Sequence, residues 1–259
     1  MHQTTSSMPA KRQQSIMDYL NERRSITIKE AANLCKVSEA TARRDLDEMA
    51  GMGYLERTHG GAVIERGTGL ERGVDEKMKL MIPEKTKIAQ KAAELIKDGC
   101  SIFLDSGTTT LLLAKTLHRF QNLTVITHNL DIAYNIKLDK TSALIVTGGI
   151  RRDGYNVLVG QIAEEMVRKL CVDIVFLGAD AINPEYGVFD SNFIEIGIKR
   201  SIIASGRYRV LLSDHTKFRR KALTKVCDID DFDVVITDAG IDEETVEILN
   251  DKAINLITI

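Results

Sequence analysis

VSEATARRDLDEMAGMGYLERTHGGA, residues 37–62, carries the densest information in the chain. Ser38 stands where a hydroxyl caps a helix, and the helix it opens runs from Glu39 to about Ala50. Within it Ala42, Leu46 and Met49 fall at i, i+4 and i+7, so one stripe is apolar and turns inward. At about 100° per residue the opposite face carries Ala40, Arg44 and Asp47, flanked by Thr41 and Arg43. Small, hydroxyl and guanidinium groups near a helix N-terminus suit the major groove of DNA, where Arg bonds phosphate or the O6/N7 edge of guanine. Gly51 and Gly53 then stop the helix. Residues 54–57 and 59–64 read as two strands of a hairpin, with Gly60 and Gly61 expected to supply the positive φ of a tight turn.

Upstream, after a polar tail of about nine residues, residues 11–21 place Ile16 and Leu20 four apart among polar neighbours, an amphipathic helix. Thr27 lies three residues before Glu30, the signature of a capping box that starts a second helix through Leu34. Cys35, Lys36 and Val37 make the short turn into the third. Helix, helix, turn, helix and Gly-Gly hairpin in that order make a winged helix-turn-helix over residues 10–65. Candidate DNA contacts are Lys36, Ser38, Ala40, Thr41, Arg43 and Arg44, with Arg57 and His59 near the wing tip aimed at phosphate or the minor groove. A plain helical bundle with Arg43 and Arg44 as a solvated pair is the competing reading, and the hairpin at this position counts against it.

Downstream, residues 66–82 are rich in Gly and charge without apolar periodicity and are expected to be a linker. From Pro83 the pattern changes: Ile88, Ala92, Leu95 and Ile96 mark a helix ending near Asp98-Gly99. Short apolar runs at 101–105, 123–127, 143–147, 173–178, 209–213, 233–237 and 255–259 then alternate with helical stretches. Nearly continuous apolar strands separated by helices imply a mostly parallel sheet covered on both faces, a doubly wound α/β domain over 83–259. Polar loops follow five of these strands: Asp105 to Thr110, Thr127 to Asn129, Thr147 to Gly149, Gly178 to Asp180 and Ser213 to Lys217. Ligands of open α/β sheets bind at that edge.

Ser106, Gly107, Thr108 and Thr109 lead straight into a helix, so backbone N–H groups and hydroxyls converge there, and phosphate fits such a loop. Simple N-capping by Thr108 or Thr109 is the structural alternative. Lys217 supplies a point charge, and Asp105, Asp180 or Asp214 suit sugar hydroxyls. His128, Asn129, Gly148 and Gly149 complete the candidate set from the neighbouring loops. Glu195 and Lys199, four apart on one helix, read either as site residues or as a surface ion pair.

Composition sets the boundaries. A chain of 259 residues, 44% hydrophobic and 28% charged, with no Trp and three Pro, is that of a globular protein of two domains, not a disordered or collagen-like one. The net charge of -2 gives no hint of nucleic acid by itself, so that case rests on where particular basic residues sit. No apolar run reaches a membrane span and the N-terminus lacks the apolar core of a signal peptide, which makes a cytoplasmic protein the expectation. Cys35, Cys100, Cys171 and Cys227 are widely spaced and beside apolar segments, so reduced core thiols are expected rather than disulfides or a metal site. No CxxC or HExxH pattern is present, and neither metal nor cofactor is expected.

Residues 37–62 resemble the DNA-binding signature of DeoR-type repressors of sugar operons, in Val37-Ser38, in Arg43-Arg44-Asp45-Leu46 and in Gly60-Gly61-Ala62. The resemblance continues through LDSGTTT at 104–110, Thr147-Gly148-Gly149, LGADAI at 177–182, Glu195 with Lys199-Arg200, LSDHTKF at 212–218 and VVITD at 234–238. It implies a sensor domain similar in fold to ribose-5-phosphate isomerase. It further implies a phosphorylated sugar intermediate as inducer, release of double-stranded operator DNA on binding it, and a homodimer or homotetramer. Three departures stand out: Ala42 where the family usually has Ile, His128 between Thr127 and Asn129, and Arg219-Arg220 where Gly is common. A sugar-phosphate isomerase, suggested by fold analogy and by carboxylates beside a Lys, and a DNA-binding architectural protein are the alternatives in other classes.

Overall fold

The computed structural model describes residues 9–51, 55–63 and 73–259. Most of the expected tail, Gly53, Tyr54, Ile64 and residues 66–72 lie outside the described residues. The chain divides into two compact units, Met1–Gly67 and Thr68–Ile259.

In the first unit α1 (Pro9–Arg23), β1 (Ser25–Thr27), α2 (Ile28–Cys35), α3 (Glu39–Gly51), β2 (Glu56–Thr58) and β3 (Gly61–Val63) follow in order. Thr27 caps α2 in the expected box: its side chain accepts from the Glu30 amide and the Glu30 carboxylate accepts from the Thr27 amide. Lys36 closes α2 in the left-handed region, φ 54°, and Ser38 Oγ accepts the Thr41 amide at 3.2 Å to open α3. Ile16, Leu20, Ala42, Leu46 and Met49 are fully buried together, so the inward stripe is the expected one. Below it, Arg12 grips Asp45 through two hydrogen bonds of 2.6 and 2.7 Å, tying α1 to α3.

The wing differs from expectation in two respects. It is three-stranded, because β1 joins the far side of β3 to give the order β1-β3-β2. Neither Gly60 nor Gly61 has a positive φ. Gly61 is required by clearance instead: a Cβ there would stand 2.0 Å from the Ile26 carbonyl oxygen of the added strand.

The second unit begins with α4 (Val74–Lys79) and α5 (Ile82–Ala93), and α4 lies within the segment expected to be linker. It continues β4 (Ser101–Leu104), α6 (Thr108–Ala114), β5 (Thr124–Thr127), α7 (Leu130–Asn135), β6 (Ala143–Val146), β7 (Ile150–Arg152), β8 (Val157–Val159), α8 (Gln161–Arg168) and β9 (Val172–Leu177). Then come β10 (Ala181–Asn183), β11 (Gly187–Asp190), α9 (Ile196–Ser205), β12 (Gly206–Leu212), β13 (Thr224–Cys227), β14 (Val234–Thr237), α10 (Glu243–Asp251) and β15 (Asn255–Thr258). All seven expected strands pair in one parallel sheet of order β15-β14-β12-β9-β4-β5-β6.

Successive residues of each strand serve opposite faces. Ile102 and Leu104 pack with α5, α6 and Ile132 of α7 on one side, while Phe103 packs with Ala163, Val167, Ile198, Ile202 and Leu249 on the other. This is the doubly wound arrangement. The chain reverses its winding between β4 and β9, which opens a crevice at their carboxyl ends. Two small antiparallel sheets, β7-β8 and β10-β11-β13, stand outside the main sheet. The four cysteines are free, but none is a fully buried core thiol: Cys35, Cys100 and Cys227 are half-buried, and Cys171 is exposed because it falls in the loop before β9.

Candidate functional site

In the first unit Ala40, Arg43, Arg44 and Asp47 are exposed and Thr41 is partly so, so the outward face of α3 is the one read from its periodicity. Lys36, Ser38 and His59 are exposed as well. Arg57 is not poised at the wing tip. Its Nε donates to Asp47 Oδ1 at 2.6 Å and a terminal nitrogen donates to the Gly61 carbonyl, so the side chain lies against α3 and braces the wing.

In the second unit the carboxyl edge of the sheet forms a cleft. Its walls include Ser106 to Leu111, Asn129, Tyr155, Gly178 to Asp180, Asp190, Glu195, Lys199, Ser213, Asp214 and Lys217. The loop after β4 enters α6 with Gly107 as its cap at φ 154° and no side-chain capping bond. Thr110 Oγ1 instead donates to the Asp105 and Gly107 carbonyls. Neither Thr108 nor Thr109 caps the helix, and both residues line the cleft.

Beneath this loop lies a buried charge cluster. Lys199, on α9, donates to Asp105 Oδ2 at 2.6 Å and lies 3.4 Å from Asp190. Asp105 also accepts from the Gly178 amide and meets His128 Nε2 at 3.1 Å. Burial would raise the Asp105 pKa, but Lys199 and His128 hold it down at about 2. Burial would lower that of Lys199, and Asp105, Asp190 and Glu195 hold it well above the usual lysine range. Asp190, left with the longer contact, is pushed up to about 7 by burial and by Asp180 and Glu195, against the pull of Lys199. One ammonium serves two carboxylates, and only the nearer is fully compensated.

Several sequence-based assignments change accordingly. Asp105 and His128 are fully buried and do not line the cleft. They are supports: His128 Nδ1 donates to the Leu158 carbonyl, which can only accept, and Nε2 lies 3.1 Å from the Ser106 amide. Gly148 and Gly149 also stand outside the cleft. Gly149, at φ 130°, sits where a Cβ would meet the Val159 carbonyl at 2.7 Å, so it serves the packing of β7 on β8. Glu195 and Lys199 are not a surface pair. Glu195 accepts from Ser106 Oγ and Arg152, and Arg152 stacks on Tyr155 with 3.7 Å between guanidinium carbon and ring centroid. Ser106, Gly107, Thr108, Thr109, Asn129, Asp180, Glu195, Asp214 and Lys217 are brought together as read, with the Asn129 oxygen engaged in capping α7.

Sequence reasoning missed two cleft cations. Lys85, only 5% exposed, donates to the Lys77 carbonyl at 2.7 Å, and Lys77 pairs with Asp180 at 2.8 Å. Neither lies in a recognisable motif. The available signal was amphipathic phase, because Lys85 shares the inward stripe of α5 with Ile88, Ala89 and Ala92. Lys217 is held down at about 7 by burial and by Arg220, against Asp214 and Asp180. Asp214, despite burial, is held low by Lys217 and Thr216.

A winged helix with a basic outward face, joined to an α/β unit with a charged cleft at its sheet edge, defines a transcription regulator of two parts. Residues 12–68 match the family profile described as "DeoR-like helix-turn-helix domain", and residues 81–239 that described as "DeoR C terminal sensor domain". The chain belongs to the DeoR family of transcriptional regulators.

It is similar to the HTH-type transcriptional regulator GolR of Listeria innocua, 32% identical over 91% of this chain and 92% of that one. It is similar also to the glycerol-3-phosphate regulon repressor of Escherichia coli K12, 30% identical over 95% and 97%. The putative aga operon transcriptional repressor of Escherichia coli O157:H7 is 30% identical over 96% and 94%. These relatives are named as regulators and repressors, and this chain is a regulator rather than an isomerase. A D-ribose-5-phosphate isomerase in complex with phospho-erythronic acid overlaps 56% of this chain and 55% of its own at TM-score 0.38 and 16% identity, too low to bear on function. Among the described residues no helix is long and apolar enough to cross a membrane.

Proposed function

We propose that this chain represses a sugar or sugar-derivative catabolic operon and that a phosphorylated sugar intermediate, entering the cleft, relieves the repression. It acts in the cytoplasm on double-stranded operator DNA, as a homodimer or homotetramer. The observation that carries this reading is the meeting of Lys85 and Lys217 with Thr108 and Thr109 in one cleft at the sheet edge, beside Asp180 and Asp214. Cations and hydroxyls suit a phosphate, and carboxylates suit sugar hydroxyls. The names of the glycerol-3-phosphate and aga relatives favour the same class of ligand. Coupling is thermodynamic: a ligand that prefers the arrangement unable to hold DNA weakens operator binding by its differential affinity, typically about 1–3 kcal/mol.

The test is binding of the chain to DNA from upstream of its own gene, with and without a panel of sugar phosphates. Specific binding that one sugar phosphate weakens is the expected result. Absence of any specifically bound fragment ends the proposal. Arg44→Ala, on the exposed face of α3, is expected to cost about 1–3 kcal/mol on the specific site and to relax base preference, whereas His59→Ala weakens all sequences evenly and flattens the salt dependence. Competition binding at two salt concentrations separates the two.

Effector affinity should also fall at alkaline pH. Lys217, with a pKa near 7, loses its charge above that pH, and Asp190 gains one, so both changes oppose an anion. A phosphate monoester is a dianion above pH about 6, which places the optimum between about 6 and 7. Each pH unit above that costs about tenfold in affinity for as long as binding must restore the Lys217 proton. The unliganded fold itself shifts the other way: it binds fewer protons than the unfolded chain between pH 7 and the ordinary lysine value, so its stability rises across that window. Calorimetric titrations on both sides of neutrality read the slope, and a flat profile would remove Lys217 from the anion site.

A further inference from the structure

Among the described residues α4 is the first helix after the DNA-binding unit, whose limit is Gly67. At six residues it cannot hold its shape by backbone bonds alone, so its position depends on what fastens it. Two of its fastenings end on cations of the cleft. Lys77 Nζ stands 2.8 Å from Asp180 Oδ1, with the two side chains 19% and 13% exposed. Lys85 Nζ donates to the Lys77 carbonyl at 2.7 Å. Val74 and Lys77 themselves form part of the cleft wall, together with Lys85, Asp180 and Lys217. An anion entering the cleft therefore meets the same ammonium groups that hold this helix down.

We propose that α4 is a strap that the ligand unfastens: the anion takes Lys85 from the Lys77 carbonyl and pushes the Asp180 carboxylate off Lys77, and the segment leading to the DNA-binding unit is released. The inference rests on the effector reading above and adds its point of transmission. A phosphate held by Lys85 and Lys217 repels the Asp180 carboxylate of the same cleft wall, so the Lys77–Asp180 pair weakens as the anion arrives. An ammonium bound to a dianion also outcompetes one bound to a neutral carbonyl. Lys85, which lies on α5 and stays at the cleft, becomes fully available only when α4 lets go, and this supplies the difference in affinity that any ligand-driven shift requires.

The sequence contains no Trp, so a Met78→Trp variant of the full chain places a single indole on α4, at a half-buried position. Inorganic phosphate, glycerol 3-phosphate and ribose 5-phosphate are the probes, with thermal unfolding reporting binding and emission reporting α4. Any probe that raises the melting temperature should shift the emission to the red with the same midpoint. Adding Lys77→Met to the indole variant should give that red shift before any probe is present, and Asp180→Asn, which breaks the same pair from the other side, should do so too. Stabilisation with unmoved or blue-shifted emission would overturn the strap while leaving the effector reading intact. So would unchanged ligand-free emission in both pair-breaking variants. If no probe stabilises the chain, the effector reading fails and the strap loses its trigger with it.

Discussion

Lys199→Met is expected to destabilise the second unit by about 3–5 kcal/mol, the cost of stranding buried charge when one partner of an ion pair is removed. Lys199 is 3% exposed and is the cation on which both Asp105 and Asp190 depend. Without it, Asp105 keeps only His128 and the Gly178 amide, and its pKa moves from about 2 to above the ordinary value. A carboxyl whose folded pKa lies above its unfolded one makes the fold bind more protons than the unfolded chain, so stability falls as pH rises through that window. The deficit of the variant should therefore be largest at pH 7 and shrink towards pH 5. Combining it with Asp105→Asn should recover part of the loss, since an amide needs no cation. Urea unfolding at the two pH values measures this, and a deficit independent of pH would mean that lost packing dominates.

Asp45→Ala should cost the first unit a similar amount and abolish DNA binding. The Arg12 guanidinium meets the Asp45 carboxylate in two parallel bonds with both side chains less than a tenth exposed, so removing the carboxylate leaves a buried charge without its counter-ion. The pair spans α1 and α3, so its loss detaches the helix that carries Arg43 and Arg44. Asp47→Ala is the control. Its pair with Arg57 lies on the same helix, but with Asp47 58% exposed it should cost at most about 1 kcal/mol. Circular dichroism melts of the two variants separate them, and equal losses would contradict the burial argument.

The sequence made the two architectures legible because both rest on local rules. Thr27 with Glu30, Ser38, and the stripe of Ala42, Leu46 and Met49 each depend only on neighbours within two turns. The seven strands were readable as apolar runs because a sheet covered on both faces needs no polar alternation. The strands β1, β7, β8, β10, β11 and β13 were not readable: segments of three or four residues are too short to carry a period, and tertiary pairing decides them.

The glycines of the wing were visible but their reason was not, since the clearance at Gly61 is set by Ile26, thirty-five residues away. In the cleft, the loops after the strands marked the right edge. Residue type alone does not separate a side chain facing the ligand from one turned beneath it, which is why Asp105 and His128 read as contacts and proved to be supports. Lys199 read equally well as a surface partner of Glu195, because spacing of four on a helix says nothing about which face is covered. Lys77 and Lys85 went unseen because a lysine without a surrounding motif resembles any solvated one.

Repression relieved by a ligand requires that operator DNA and effector oppose each other through one chain, and thermodynamic linkage makes that opposition reciprocal. The decisive measurement is the affinity of the chain for its sugar phosphate, taken once free and once saturated with operator. The predicted result is a loss of affinity on DNA equal to the factor by which the sugar phosphate weakens operator binding. An effector that binds free and DNA-bound chains equally would contradict it.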